Sequence, residues 1–379
     1  MILLAAGGTG GHLYPALAVA EVLRDLAPDL GVHFVGTPDH LESRVVPAAG
    51  WPFHAVPAAP FPRRPDGRAL TFLREFPKGL RTCFRLVERL RPAVVAGFGA
   101  YLTVPPLLAA AAQGVPVILH EANAHPGMAN RLLGRWASEI LVSHEDAAMA
   151  FGGRRTVTTG NPIRAAFRRA AQADGRRAAR RRLELGDDEY LLVVTGGSLG
   201  ARVLNDVVAS SREDWLKRRD WKMVHLTGPG LFEEVRSSLP EDTRLGPWFE
   251  GEAFHSLGGR LVTAPYCEEM ASLLAAADLA VGRSGATTVA ELAMLGCPAV
   301  FVPLALNPDQ AANAAALANV GAAAVVRQDK VAGQLSPTVA RLMDDAVARS
   351  AMGRAAARSG RPGAAEDVAR RLLAWASPT

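Results

Sequence analysis

Twice along this chain a short apolar run empties directly into a glycine-rich loop and then into a helical pattern. Ile2 to Ala5 leads into Gly7-Gly8-Thr9-Gly10-Gly11-His12 and a helix from about Pro15 to Leu26, and Leu191 to Thr195 leads into Gly196-Gly197-Ser198-Leu199-Gly200-Ala201-Arg202 and a second helix. Further apolar runs follow the first at Val32 to Val35, Phe53 to Val56, Ala93 to Ala96, Val117 to Leu119 and Ile140 to Val142, and the second at Met223 to Leu226, Leu261 to Thr263, Leu279 to Val281, Ala299 to Val302 and Ala323 to Val326. Continuous apolar strands interleaved with helices describe a parallel sheet buried on both faces. The repeat therefore predicts two doubly wound α/β domains, and 379 residues suit two cores better than one. The expected boundaries are 1–162, 163–350 and a helical segment 351–379, whose Ala364 to Trp375 portion would pack back on the first half. Ligands in such sheets bind outside the carboxyl ends of the strands, where both glycine loops lie.

A third stretch carries more chemistry. Gly282-Arg283-Ser284-Gly285-Ala286-Thr287-Thr288-Val289-Ala290-Glu291 follows an apolar strand and opens a helix. The first-turn N–H groups of any helix lack internal partners, so a phosphate there gains roughly 0.3–2 kcal/mol from the helix dipole. Glu291 lies two turns beyond Ser284 and shares a helix face with Thr287 and Thr288. A carboxylate there suits the paired hydroxyls of a ribose. Gln310 and Asn313, three apart at the start of another helix, are neighbours able to read sugar hydroxyls. Singly, Ser284 reads equally well as a helix cap and the others as surface polars; together they favour a nucleotide-sugar site.

The loops exclude two commoner readings. Counted from Gly8, the sixth fingerprint position is Leu13, and Gly36-Thr37 stands where a dinucleotide site has its acidic residue. No GxxxxGK[ST] sequence occurs, which disfavours a P-loop NTPase along with the NAD oxidoreductase. His12 closes the first loop at a helix N-terminus, where a cation is disfavoured, so a neutral imidazole able to take a proton is expected. The alternative is a histidine that merely caps the loop. His120 and Glu121, at the end of the Val117 run, are further acid–base candidates.

Cys83, Cys267 and Cys297 are an odd number without metal spacing, pointing to a reducing compartment rather than a disulfide framework or zinc site. MILLAAGGTGG has no basic n-region and too short an apolar run for a signal peptide. Leu102 to Leu119 is interrupted by Pro105, Pro106, Gln113, Gly114 and Pro116, so a helix followed by a buried strand is expected there, not a membrane span.

The net charge of +5 is modest, but its distribution is uneven. Phe61 to Arg91 sets Arg63, Arg64, Arg68, Arg74, Lys78, Arg81, Arg85, Arg89 and Arg91 against Asp66, Glu75 and Glu88, with Phe61, Leu70, Phe72, Leu73, Phe76, Leu80, Phe84 and Leu86 interleaved. Such a segment can lie on an anionic membrane or be an ordinary solvated helix face. The Arg164 to Arg182 stretch reads as a solvated linker helix, because no stacking platform for nucleic acid accompanies it.

The motifs GGTGGH (Gly7 to His12), GFGAY (Gly97 to Tyr101), HEAN (His120 to Asn123), GNPIR (Gly160 to Arg164), GGSLGAR (Gly196 to Arg202), RSGATTVAEL (Arg283 to Leu292) and DQAANA (Asp309 to Ala314) together resemble the MurG glycosyltransferases, in that order and over nearly the whole chain. The resemblance implies a GT-B fold, two Rossmann-like domains facing a cleft, with the UDP-GlcNAc donor in the C-terminal half and a lipid acceptor in the N-terminal half. It implies that His12 deprotonates the acceptor, the 4-hydroxyl of MurNAc in undecaprenyl-pyrophosphoryl-MurNAc-pentapeptide, in an inverting transfer that turns lipid I into lipid II. Thr9, Gly10 and Gly11 would hold phosphate near it. Ser198 and the amides of Ala286, Thr287 and Thr288 would bind the donor diphosphate, with Val289 and Ala290 in the same substrate-contacting stretch and Glu291 on the ribose. Gln310, Asn313 and Asn123 would contact GlcNAc, while Arg164 and Cys267 would approach the nucleotide. No Asp-x-Asp motif occurs, so no metal cofactor is expected. The family's peripheral attachment to the cytoplasmic membrane face agrees with the Phe61 to Arg91 segment; no nucleic-acid partner is expected.

Departures accompany the match. Ala100 stands where the family has a second glycine, Leu199 replaces a glutamine beside the donor phosphates, Cys267 replaces an aliphatic residue near the base, and Gly246 to Gly259 reads as an insertion. A transferase acting on another glycolipid or a natural product, a UDP-sugar epimerase of the same fold, and a nucleotide-sugar binding module are the alternatives.

Overall fold

The computed structural model describes residues 1–62, 67–248 and 251–376. It divides into two compact units, Met1–Ala165 with Arg361–Thr379, and Ala166–Gly360.

Unit 1 is built on seven strands, β1 (Ile2–Ala5), β2 (Val32–Gly36), β3 (Phe53–Ala55), β4 (Val94–Gly97), β5 (Val117–Glu121), β6 (Glu139–Val142) and β7 (Thr156–Thr158). All pair in parallel, in the order β3-β2-β1-β4-β5-β6-β7. Successive strand residues face opposite sides, which is why the strands are apolar without alternation. Ile2 and Leu4 join a core beneath the helices Gly10–Leu26 and Ala364–Ala376, whereas Leu3 and Ala5 join one beneath Gly67–Leu90 and Val104–Ala112. The last helix, Ala364–Ala376, buries Ala365, Val368, Ala369 and Leu372 in the first of these cores. It is fastened by Glu139, which is 1% exposed and accepts from Arg371 at 2.7 Å and from the Trp375 indole at 3.2 Å.

Unit 2 has eight strands, β8 (Tyr190–Thr195), β9 (Trp221–Leu226), β10 (Arg244–Trp248), β11 (Gly251–Ser256), β12 (Leu261–Ala264), β13 (Leu279–Gly282), β14 (Ala299–Phe301) and β15 (Ala323–Val325), ordered β10-β11-β12-β9-β8-β13-β14-β15. The pairs from β12 to β15 are parallel, while β10, β11 and β12 pair antiparallel. The Gly246 to Gly259 segment thus supplies most of an edge hairpin that the sequence reading did not resolve as strands; Phe249 and Glu250 lie outside the described residues.

One other expectation changes. The Arg164 to Arg182 stretch is not one solvated helix but two, Ala165–Ala170 and Gly175–Arg182. Arg176 donates to the carbonyls of Ala275 and Ala277, and with Arg180 it grips the Asp278 carboxylate, which also accepts the Leu191 N–H. The basic segment forms the 24-residue helix Gly67–Leu90, with Cys83, Leu86 and Val87 buried and Leu70 and Leu73 exposed. Arg63, Arg64 and Asp66 lie outside the described residues. Among the described residues no helix is long and apolar enough to cross a membrane.

Candidate active site

In each sheet the strand order reverses beside the first strand, between β1 and β4 in unit 1 and between β8 and β13 in unit 2. Loops leaving two adjacent strands in opposite directions open a crevice at their carboxyl ends. Of the sequence-predicted residues, Thr9 to His12 and Ser198 fall on or just after these loops and Ala286 to Glu291 on the helix that follows β13, whereas Asn123 follows β5, Arg164 follows β7, Cys267 follows β12, and Gln310 and Asn313 lie on the helix after β14.

In unit 1 the Gly7 to His12 loop leaves β1, and Phe98 to Tyr101 leaves β4. Thr9 is the N-cap of the Gly10–Leu26 helix in extended conformation, so Gly10, Gly11 and His12 form its first turn. His12 Nδ1 lies 2.9 Å from the Phe98 carbonyl oxygen, which can only accept. The proton therefore sits on Nδ1, and Nε2 carries the lone pair a base needs. Gly99 has φ +98, and a Cβ there would lie 2.8 Å from His12 Nδ1, so the imidazole occupies space that only glycine leaves. Behind the first loop sits Glu42, fully buried, accepting from Gly8 N–H at 2.9 Å, Thr37 N–H at 3.0 Å and Thr37 Oγ1 at 2.5 Å. Sequence reasoning missed it, because a glutamate at a helix start reads as solvated. Arg164 belongs to unit 1, its guanidinium 4.3 Å from the centre of the Tyr14 ring.

The other two acid–base candidates are committed to structure. His120 is 2% exposed, with Nε2 3.1 Å from the Gly160 carbonyl, and burial pushes its pKa down to about 4. Glu121 is also buried, which raises its pKa, and its carboxylate gathers the Asn123 N–H and amide, the Gly127 N–H and the Asn130 amide. It shapes the loop after β5 and sets the place of Asn123 within it.

In unit 2 the Gly196 to Arg202 loop leaves β8 and Arg283 to Gly285 leaves the neighbouring β13. Ser198 and Leu199 stand exposed on the first, Leu199 at 84%. The helix Ala286–Leu295 starts after an extended N-cap at Gly285, so Ala286, Thr287 and Thr288 form its first turn. Ser284 is therefore not the cap; fully buried, it donates from Oγ to the Gln310 carbonyl at 2.7 Å. Val289 and Glu291 are buried on this helix, Ala290 half-buried. Asn313 is entirely buried and donates to the Ser284 carbonyl at 3.3 Å, and Gln310 Oε1 accepts the Leu304 N–H at 2.9 Å. The two amides expected to read a sugar thus also knit the loops after β13 and β14 together. Arg283 completes the knot, donating to the Val302 carbonyl and to Gln328 Oε1, both at 2.9 Å. Cys267 is 3% exposed, and burial pushes its thiol up to about 12, so it stays protonated and behaves as an apolar filler.

The chain resembles known proteins over nearly its whole length. The glycosyltransferase family 28 N-terminal domain matches residues 2–142 and the C-terminal domain of that family residues 191–368. A UDP-N-acetylglucosamine–N-acetylmuramyl-(pentapeptide) pyrophosphoryl-undecaprenol N-acetylglucosamine transferase of Desulforudis audaxviator is 38% identical over 372 residues, covering 97% of this chain and 96% of that protein. The transferase of the same name from Bifidobacterium adolescentis is 38% identical, covering 98% of this chain and 97% of its own. Among solved structures, Acinetobacter baumannii MurG aligns with a TM-score of 0.72 at 27% identity, covering 98% of this chain and 99% of that one. A UDP-GlcNAc 2-epimerase from Neisseria meningitidis bound to UDP-GlcNAc aligns with a TM-score of 0.68 at 14% identity over 99% of this chain and 100% of that one, which shows a shared fold only. With its two family 28 domains and relatives of one name matched end to end, the chain is a GT-B glycosyltransferase that belongs to the MurG family of N-acetylglucosamine transferases.

Proposed function

We propose that this chain carries out the reaction of its family: transfer of GlcNAc from UDP-GlcNAc to the 4-hydroxyl of MurNAc in undecaprenyl-pyrophosphoryl-MurNAc-pentapeptide, converting lipid I to lipid II in peptidoglycan synthesis. His12 Nε2 takes the hydroxyl proton, the oxygen attacks the anomeric carbon as the bond to UDP breaks, and the configuration inverts. The observation that carries this assignment is the fixed tautomer: Phe98 holds the Nδ1 proton, and Gly99 makes the room. Thr9, Gly10 and Gly11 are assigned an acceptor phosphate, since they lie at the helix N-terminus that also bears His12. The donor diphosphate is assigned to Ser198 and the Ala286 to Thr288 amides, where helix-start N–H groups stabilise the charge developing on the leaving UDP. Glu291 is assigned the ribose, Gln310, Asn313 and Asn123 the GlcNAc, and Arg164 and Cys267 the approach to the nucleotide. No step calls for a metal.

The test follows UDP release and product mass with UDP-GlcNAc and a short-chain lipid I analogue. Release that depends on the lipid, with a product heavier by one GlcNAc, is expected; epimerised UDP-sugar formed without acceptor would replace this reading by the second one. His12→Ala is expected to lower kcat by about 10²–10⁴-fold with little change in UDP-GlcNAc affinity. A loss confined to donor binding would remove His12 from the base role.

The Gly67–Leu90 helix is assigned a peripheral contact with anionic lipid on the cytoplasmic membrane face. Exposed Leu70 and Leu73 flank Arg74, and Arg81 and Arg85 are exposed further along. Each basic side chain at such a surface contributes roughly 1 kcal/mol. Vesicles rich in phosphatidylglycerol should bind the protein in low salt and release it in high salt, and Leu70→Glu with Leu73→Glu should abolish sedimentation with them. Equal binding by wild type and variant would move the contact elsewhere.

A further inference from the structure

The Gly196 to Arg202 loop has no slack behind it. Gly200 has φ +75, and a Cβ there would lie 2.0 Å from the Thr227 carbonyl oxygen; one on Gly228 would lie 2.5 Å from Gly200 Cα. Backbone rests on backbone at this point, so the loop goes where the Thr227 carbonyl goes. Thr227 follows β9, is fully buried, and is held through both of its peptide groups. Its N–H donates to the Ala264 carbonyl at 3.1 Å, and its carbonyl accepts from Asn205 Nδ2 at 3.1 Å.

Asn205 is 4% exposed, on the helix Arg202–Trp215 that the loop itself feeds. A carboxamide can be turned over at little steric cost, and turned over it would set oxygen against the Thr227 oxygen. The orientation is decided by His225, 2% exposed on β9, whose Nε2 lies 3.0 Å from Asn205 Oδ1. With its proton on Nε2, the imidazole donates to that oxygen and leaves Nδ2 facing Thr227.

We propose that His225 is a positioning residue for the donor-diphosphate loop. It acts without touching substrate, by fixing the Asn205 carboxamide, which fixes the Thr227 carbonyl against which Gly200 is seated. This rests on the assignment of the donor diphosphate to the Ser198 loop.

The test compares UDP-GlcNAc affinity by calorimetry, and kcat and KM for each substrate, in the full-length enzyme. His225→Leu removes the donor group and is expected to weaken UDP-GlcNAc binding and raise its KM about tenfold, the size expected for one buried hydrogen bond. Its kcat and acceptor KM should stay near wild type, a split that general loosening of the fold would not give. His225→Gln, which can offer an N–H at the same place, should recover most of the affinity. Asn205→Ala should match His225→Leu, and the double variant should be no worse than either, because both remove one connection. A wild-type enzyme that does not bind UDP-GlcNAc would defeat the donor assignment itself, before any variant is made. If wild type binds and the variants bind equally well, or if the two losses add in full, the positioning role is overturned. Should His225→Leu not fold, loss in Asn205→Ala with retention in His225→Gln supports the proposal, and equal affinity in both overturns it.

Discussion

Ala100, read from the sequence as standing in a glycine position, has a backbone that suits glycine. Its φ of +66 and ψ of 161 lie in a region that is essentially reserved for glycine, at a cost of order 1–3 kcal/mol for a residue with a Cβ. It sits next to Gly99, on the loop whose Phe98 carbonyl sets the His12 tautomer. Strain at this place is tolerated because Thr103 ties the turn, its N–H and Oγ1 both donating to the Ala100 carbonyl. Ala100→Gly should therefore raise stability by about 1 kcal/mol, the relief of strain exceeding the added freedom of the unfolded chain. Urea midpoints at constant slope would measure it, and a lower midpoint would show that the backbone is not strained there. The sequence marked Ala100 as unusual, but a residue's φ is set by what the chain does on either side of it. Likewise His12 was found from its loop, yet Phe98, which holds its Nδ1, is distant in sequence and contributes only a carbonyl, a group every residue has.

Among the elements, the helix Ala364–Ala376 shows how a short segment is secured. Its apolar stripe of Ala365, Val368, Ala369 and Leu372 completes the core against the Gly10–Leu26 helix, and Glu139 provides the polar anchor. Arg155 also reaches the Glu139 carboxylate at 3.1 Å, but from a largely exposed position. Removing Arg371 leaves a buried carboxylate with weaker company, and breaking a fully buried pair costs about 3–5 kcal/mol. Because Arg155 remains, Arg371→Ala is expected to cost less, about 1–3 kcal/mol, measurable by chemical denaturation. A change below 0.5 kcal/mol, the usual size at an ordinary surface site, would mean that the apolar stripe alone holds the helix. The sequence showed this helix by its period, whereas its anchor, a glutamate opening a strand more than two hundred residues earlier, carried no local mark. The edge hairpin of β10 and β11 was missed for a related reason: Gly246, Pro247 and Gly251 break the apolar pattern, and only pairing with β12 makes strands of it.

For the molecule as a whole, buried neutral histidines tie stability to pH. Burial lowers His120 to about 4 and His225 to about 3, from an ordinary value of 6.5. Both pKa values are depressed in the fold, so below about pH 6.5 the unfolded chain takes up protons that the native state refuses. Their contribution is complete above that pH and declines as pH falls toward 4 and then 3. The urea midpoint should drop between pH 7 and pH 4.5, and drop less in His120→Gln, whose side chain does not titrate; identical profiles would assign the acid lability to other groups. Both histidines lie at the carboxyl ends of central strands, behind the loops that bear the site, so acid should disturb the site along with the fold. That location separates what the two levels of description can give. By itself the sequence determined two doubly wound sheets and the glycine loops that end their first strands, because strand burial and helix starts are written in local patterns of a few residues. Tertiary structure alone decided which carbonyl fixes His12, which carboxylate backs the first loop, and which histidine orients the support of the second. Those roles depend on single hydrogen bonds between strands far apart in the chain, and a hydrogen bond at three ångströms leaves no period in a sequence.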